Sequence, residues 1–490
     1  MNTTPGTAAE RALPAEPRGD MRRFLIIWAA QLIARTGNGL TAFGIAVHVY
    51  EQTGLSTSVA LVTMAAFLPG VLLAPLGGVL ADRFDRRLLM VLGDTVSAIG
   101  LGALLLLLSR GTGDLALLCA CIVLSAIPGA VMEPAYRATV SDLLPPAQYA
   151  RASGLVQLAS ASQYLLSPAI AGLLMAAGGI RLVLTIDIAT MLVTILCMLA
   201  VRRGIEQRRR EAEAGFWAEL RFGVAFLAQQ RGLTVLVLLV TVVTFCMGFL
   251  QTLLTPMLLE LSDERMLGLL RSTAAIGMLV SSLAIGVLGL NSGRRRVLSL
   301  GLAAAGAAVL CLGASSQLLL IGLFAFLFFA TLPPLNTSLE ILARASIPSG
   351  VQGRVWGVMG LVSQLGYILA YAVSGPLADL VFTPLLLPGG PLADSLGRVL
   401  GTGPSRGIGL MLVLAGLLLA VVALLVQRSR SVRELERTLR AQLAPPGDAP
   451  RRPSRTPASE PGGPDSLDAA AQAASAPEPE EGSACDSDSR

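Results

Sequence analysis

Apolar residues in this chain come in long blocks separated by short, arginine-bearing connections, and the blocks have no polar back. Leu101 to Leu108 and Leu233 to Val243 are apolar on every side of a helix, whereas a helix packed on a water-soluble core keeps one polar face. Blocks of about 20 residues, the length that carries a helix across a bilayer, lie at 24–50, 57–80, 88–109, 115–136, 153–177 and 181–201. A second set lies at 233–259, 267–290, 297–316, 318–342, 355–383 and 407–426. The pattern predicts an all-α polytopic membrane protein with twelve transmembrane helices in two groups of six. The first block is too long for the apolar core of a cleaved signal peptide and is expected to be retained.

Composition agrees with a lipid solvent: 53% of the 490 residues are hydrophobic, 14% are charged, and the mean hydropathy is +0.68. The net charge of +5 would point to nucleic acid in a soluble protein. Here the basic residues sit between apolar blocks, so no nucleic-acid partner is expected and membrane orientation explains them. With the N-terminus in the cytoplasm, 26 arginines fall on the inner side before the distal tail. Six (Arg110, Arg181, Arg265, Arg271, Arg398 and Arg406) fall on the outer side. This positive-inside bias places both termini in the cytoplasm and the protein in the cytoplasmic membrane. All 37 basic residues are arginine, a compositional trait with no functional reading. Five cysteines lie in apolar blocks and Cys485 in the tail. No disulfide or metal-site spacing occurs, and Cys119 and Cys121 point to different helix faces. Neither cofactor nor metal is expected.

The blocks divide the chain into a cytoplasmic segment 1–23, a first half 24–201, a linker 202–232, a second half 233–427 and a tail 428–490. The linker carries an amphipathic stretch, Phe216 to Phe222, that reads as a helix at the inner interface. The tail begins at Ser429 as a charged helix. From Ala444 it is rich in Pro, Ala, Ser and acidic residues, with too little apolar content to fold. The two halves repeat at a constant offset of 203 residues: Pro145 with Pro348, Arg151 with Arg354, Gly154 with Gly357, Ser160 with Ser363, Tyr164 with Tyr367 and Gly172 with Gly375. A parallel repeat of six-helix halves puts a substrate site near the midplane between them.

The segment Gly78-Val79-Leu80-Ala81-Asp82-Arg83-Phe84-Asp85-Arg86-Arg87 closes the second block and opens the third. Gly78 permits close helix approach, Asp82 suits the positive end of a facing helix, and the arginines suit carboxylates or the inner leaflet. The segment resembles the signature loop of the major facilitator superfamily, with Asp85 in place of the usual Gly. Gln31 to Gly37, Tyr50 to Gly54, Asp94, Pro134 to Ala138, Pro145 and Arg151 extend the resemblance, over residues 22–427, to the branch of macrolide exporters and enterobactin-type siderophore exporters. The resemblance implies the two-half major facilitator fold and alternating-access export in exchange for protons. It also implies a cytoplasmic latch, assigned to Gly78, Asp82, Arg83, Arg86, Arg87, Asp94, Glu133, Arg137, Arg151 and Arg354. Ser167, Pro168, Ala171 and Gly172 are similar to a degenerate form of the Gly-Pro motif of drug/proton antiporters, with small residues for close packing and Pro for a kink.

Ionisable residues inside the blocks are functional candidates because burying them in lipid is costly. Arg35 lies eleven residues past Phe24, roughly 16 Å along the helix and near mid-membrane. Gln31 and Asn38 share its face, so the three are expected to line a central cavity, where Arg35 either attracts an anionic substrate or pairs with an acid. Asp187 is a partner for Arg35 or a proton site. Asp94, seven residues past Arg87, is assigned to the latch over a coupling role. Glu133 and Arg137 form an i,i+4 pair that serves the latch or simply compensates charge. Gln157, Gln163, Gln251 and Gln364 are candidate neutral cavity groups, and His48 is read as facing headgroups.

No phosphate-binding Gly-x-x-x-x-Gly-Lys loop occurs, nor His-Glu-x-x-His or Gly-x-Ser-x-Gly, so ATP hydrolysis and intramembrane catalysis are not expected. The reading is a monomeric, non-enzymatic exporter of small organic molecules. Its partners are the substrate, protons and membrane lipid. The alternatives are an importer of a small nutrient and a non-transporting receptor.

Overall fold

The apolar blocks fold as helices, and some of the breaks between them fall at glycine in left-handed backbone, as at Gly54 and Gly111, or at proline, as at Pro128 and Pro348. The computed structural model describes residues 21–111, 113–145, 148–201, 216–288, 293–348 and 351–443. These belong to one unit ending at Gln442, with Leu443 the first residue of a second.

The first group comprises α1 (Met21–Thr53), α2 (Ser56–Arg83), α3 (Arg86–Ser109), α4 (Leu115–Ala126), α5 (Gly129–Leu143), α6 (Tyr149–Leu165) and α7 (Ser167–Val201). Ile127 and Pro128 separate α4 from α5, and Leu166 separates α6 from α7. Gly179 interrupts α7 with φ 64° and ψ −165°, a conformation that folds one long apolar stretch into two segments. After α8 (Phe216–Gln229) the second group comprises α9 (Arg231–Leu259), α10 (Glu264–Leu288), α11 (Arg294–Ala314), α12 (Leu318–Ser346) and α13 (Gln352–Leu377). A π-helical turn (Ala378–Phe382) extends α13 into α14 (Thr383–Leu386); α15 (Gly397–Leu400), α16 (Pro404–Arg428) and α17 (Arg430–Leu443) follow.

Ten helical runs among the described residues are long and apolar enough to cross a membrane. One of them, the 50-residue run Arg151–Ala200, contains the Gly179 break. The 33-residue α1, with Arg22, Arg23, Gln31, Arg35 and Asn38 among its apolar residues, is not one of the ten.

The packing is pseudo-symmetric. α1 packs on α6 and α7 as α9 packs on α13; α2 packs on α4 and α5 as α10 packs on α12; α3 packs on α7 as α11 packs on α16. The groups meet through the matching pairs α2 with α13, and α10 with α6 and α7. Within the second group, α11 and α16 approach backbone to backbone at two glycine pairs seven residues apart. A methyl on Gly306 would lie 2.6 Å from the Gly416 carbonyl, and one on Gly313 would lie 2.4 Å from that of Gly409. Small residues at such contacts are how helices associate tightly without water to drive them.

The amphipathic linker stretch is the start of α8. It packs on α13, with the Arg354 guanidinium 5.5 Å from the centre of the Phe222 ring. The charged helix expected after Ser429 is α17. Val432, Leu435 and Leu439 are buried, Leu435 stands against Gly232, and Glu436 faces Arg295 at 3.7 Å and Arg440 at 3.1 Å. The readings of residues 1–20 and of the tail beyond 443 lie outside the described residues.

Candidate functional site: a cavity between the two helix groups

A cavity of about 920 Å³ lies between the groups. The first group supplies its polar wall: Asn38 and Thr41 from α1, Asp94 and Ser97 from α3, and Gln163 and Asp187 from α6 and α7. The facing wall is the early part of α13, with Arg354, Trp356, Leu361, Ser363 and Gln364, joined by Leu220 of α8. Phe67, Val71 and Pro75 of α2 and Met132 of α5 add apolar surface. The glycines Gly70, Gly129, Gly357 and Gly360 keep that wall low, since a methyl on any of them would meet nothing within 4 Å.

Two carboxyl groups dominate the polar wall. Asp187 is fully buried and accepts hydrogen bonds from the hydroxyls of Thr41 and Thr190. Asp94 is 3% exposed, and its Oδ2 has no hydrogen-bond partner among the described residues. Neither acid forms an ion pair among the described residues, and an intramembrane acid left this way is a functional candidate by default. Asp94 thus stands on the cavity wall, two turns from Arg87.

Arg35 turns away from the cavity. It donates to Glu133 Oε2, and its guanidinium lies 5.7 Å from the centre of the Tyr136 ring. Arg137 Nε donates to the other Glu133 oxygen at 2.8 Å. One carboxylate thereby ties α1 to α5, and Arg35 has Glu133 as its acid, not the expected candidate Asp187. Of the expected Gln31, Arg35 and Asn38 stripe, only Asn38 lines the cavity. Gln31 is buried with Nε2 lacking a partner among the described residues. Gln163 and Gln364 line the cavity, Gln157 is exposed outside its lining, and Gln251 accepts from the Tyr371 hydroxyl at 2.8 Å.

The end of the bundle where α1 runs into α2 is sealed across the groups. The Tyr50 hydroxyl donates to Glu260 at 2.7 Å, and the N–H groups of Ser56 and Thr57 donate to Asp379 at 3.0 and 2.7 Å. Ala169 N–H donates to Ser272 at 3.0 Å. Below these contacts Phe67 packs between Tyr367 and Tyr371, with ring centres 5.3 and 5.5 Å away, and roofs the cavity. The repeat glycines bring the two groups close at the seal. A methyl on Gly172 would lie 2.5 Å from the Glu264 carbonyl, and one on Gly375 would lie 2.5 Å from Thr57 Cα. The cavity lining extends the other way, to Gly353 and Arg354 in the first turn of α13.

The antiporter-like residues sit at this junction. Ser167 donates to the Thr36 carbonyl at 2.8 Å, Ala171 is fully buried, and the Pro168 carbonyl faces Gly268. At the opposite end, Asp85 is the N-cap of α3, accepting from the N–H groups of Arg87 and Leu88 at 2.9 and 3.3 Å. This explains an acid where glycine is usual. Arg87 is buried, Arg83 and Arg151 are exposed, Arg86 is half-buried, and Arg354 reaches the cavity. The side-chain calls on Gly78 and Asp82 lie outside the described residues.

Arg271 corrects the count of outer-side arginines. It sits inside α10, donating at 2.7 Å to both the Gln251 carbonyl and the Thr255 hydroxyl, and its guanidinium lies 5.9 Å from the Phe43 ring centre. Its place within the 267–290 block was the available signal. Asp379, Glu260 and Phe67 carried no comparable signal, because what makes them important is a neighbour in the other half.

The family model described as Major Facilitator Superfamily matches residues 27–258. Macrolide efflux protein A of Streptococcus pyogenes is 23% identical over 365 residues, covering 73% of this chain and 89% of that protein. The multidrug efflux pump Tap of Mycolicibacterium fortuitum is 26% identical over 419 residues, covering 83% and 96%. The fold matches that of a bacterial homologue of the human lysosomal transporter Spinster, crystallised inward-facing and unoccupied. The TM-score is 0.67 at 16% identity, over 86% of this chain and 98% of that one. Helix architecture, a cavity between pseudo-symmetric groups and these likenesses together describe an all-α polytopic membrane protein similar to secondary transporters of the major facilitator type.

Proposed function

We propose that this chain is a secondary transporter that exports small amphipathic organic molecules of the drug or macrolide kind by alternating access, in exchange for protons entering the cell. The observation that carries the reading is a drug-sized cavity with two buried carboxyls on its polar wall, apolar and aromatic surface from Phe67, Val71, Met132 and Trp356, and hydrogen-bonding groups from Ser363 and Gln364. Asp187 and Asp94 are the proton-exchanging groups, since an acid without a countercharge can release its proton when access switches from one side to the other. Asp94 is given this role over the latch because it faces the cavity. Arg35, Glu133 and Arg137 hold α1 to α5 and keep the polar wall in place.

The chain crosses the membrane twelve times. The ten apolar runs are supplemented by α1 and by the second crossing that the Gly179 break makes from the run Arg151–Ala200. Both termini and the arginine-rich loops are cytoplasmic, so the conformation described is open inward and sealed outward. Gly78, Asp82, Arg83, Arg86 and Arg87 latch the cytoplasmic end in the opposite state, with Arg151 and Arg354 at the facing helix starts. The protein acts as a monomer within the lipid.

The test is accumulation in inverted membrane vesicles of a labelled macrolide and, separately, a catecholate siderophore, with and without an imposed proton gradient. Gradient-dependent accumulation of the macrolide supports the reading. Uptake into whole cells driven by the same gradient would make the protein an importer.

A further inference from the structure

The helix α2 begins without a cap of its own. Its N-cap position is Leu55, in extended backbone (φ −111°, ψ 126°), and leucine has no acceptor to offer the first free N–H groups. Asp379 serves instead: Oδ1 accepts from Ser56 N–H at 3.0 Å and Oδ2 from Thr57 N–H at 2.7 Å. The donor helix and the acceptor belong to opposite halves. The π-helical turn Ala378–Phe382 carries Asp379 at the end of α13. One turn earlier, Gly375 lets α13 approach until a methyl there would lie 2.9 Å from the Ser56 carbonyl. The corresponding helix of the second half, α10, is capped from its own side, by Asp263 accepting from Met266 N–H at 2.9 Å.

We propose that Asp379 is a positioning residue of the transport cycle, a latch that caps α2 from the opposite half only while the outer end is sealed. A cap from within a helix stabilises both transport states equally and leaves their ratio unchanged. A cap reaching across the seal must break when the halves part, so all of its contribution falls on the sealed state. An ionised carboxylate facing the positive end of a helix strengthens the contact beyond that of a neutral cap. Breaking it exposes the N–H groups of Ser56 and Thr57 to the outer vestibule, where water replaces Asp379. The outward-open state is thereby reached without a buried, unsatisfied backbone. The neighbouring Tyr50 to Glu260 bond ties the same end through α1 and α9 but caps no helix.

The test uses the full-length chain with its native cysteines replaced by alanine and spin labels at Gln52 and Arg265, both exposed at the sealed end. Pulsed paramagnetic resonance reads the short and long distances of the sealed and open outer end. Asp379→Asn is expected to raise the open-to-sealed ratio roughly five- to thirtyfold, the range that a lost charged cap implies. Leu55→Asp, which gives α2 a cap of its own, is added in the Asp379→Asn background. There it restores thermal stability while leaving the ratio shifted. Recovery of both stability and ratio would make Asp379 a merely structural cap and overturn the proposal, as would an unmoved ratio in Asp379→Asn. Should Asp379→Asn fail to fold, Leu55→Asp alone competes for the same N–H groups and must raise the ratio; an unmoved ratio overturns the latch. A wild-type chain with a single distance under every condition would overturn alternating access and the latch together, whereas two distances that ignore these substitutions overturn the latch alone.

Discussion

Adding one methyl group at Gly375 should open the outer end of this transporter. The Cβ of Gly375→Ala would stand 2.5 Å from Thr57 Cα and 2.9 Å from both Ala60 Cβ and the Ser56 carbonyl. The first and last of those atoms are backbone, so no rotamer change relieves the clash. Restoring ordinary contact requires α2 and α13 to separate by about 1 Å, and overpacking of this kind costs about 1–3 kcal/mol. That cost falls only on the sealed state, so the open-to-sealed ratio should rise roughly 5- to 150-fold. The repeat partner Gly172 predicts the same for Gly172→Ala, whose methyl would meet the Glu264 carbonyl at 2.5 Å. The repeat also supplies controls, because methyls on Gly154 and Gly357 meet nothing within 4 Å. Single-molecule energy transfer between dyes at the outer ends of α1 and α10 reads the ratio, with thermal unfolding measured alongside. A folded Gly375→Ala protein with an unchanged ratio, or equal shifts in Gly357→Ala, would refute the reasoning.

Three further outcomes follow from the charged groups. Asp187→Asn keeps hydrogen-bonding capacity toward Thr41 and Thr190 and should abolish gradient-driven accumulation while downhill equilibration persists; full gradient-driven accumulation would exclude Asp187 from coupling. Arg35→Ala and Glu133→Gln should be non-additive in a double-mutant cycle by roughly 1–2 kcal/mol, a figure discounted for the partial exposure of Glu133; additivity in denaturation would show the pair to be idle. Glu436→Ala removes the carboxylate facing Arg295 and Arg440 and should speed proteolysis of α17 without changing transport, whereas a transport defect would give the tail helix a role in the cycle.

The apolar helical blocks and the repeat were legible in the sequence because they are local or periodic properties. A block such as Leu233 to Val243 has no polar face to hide, and Gly172 with Gly375 marked the repeat before either showed its contact. Chain breaks were less legible. The fifth and sixth blocks fold as α6 and a single α7 bent at Gly179, because a positive-φ glycine turns the chain without a polar loop. The candidate site was half legible. Asp187, Asn38, Gln163 and Gln364, candidates for the cavity by their polarity within apolar blocks, line it. Arg35 did not, because it pairs with Glu133, 98 residues away. Charge position along a span predicts depth in the membrane, while direction around the helix is set by whichever partner the fold supplies. Asp379 shows the same limit: an acid at the end of an apolar block reads as a solvated terminus until α2 is placed beneath it.

The central claim is that one cavity is reached from both sides of the membrane in turn, and Gly70 is the position from which to test it. It lines the cavity, and a side chain there meets nothing within 4 Å. Gly70→Cys in an otherwise cysteine-free chain would be labelled with a membrane-impermeant maleimide applied to right-side-out or inverted vesicles. The account predicts rapid labelling from the cytoplasmic side at rest. It also predicts labelling from the outer side that rises when Gly375→Ala is added, with a matching fall from the cytoplasmic side. Labelling confined to one side in both proteins would contradict it.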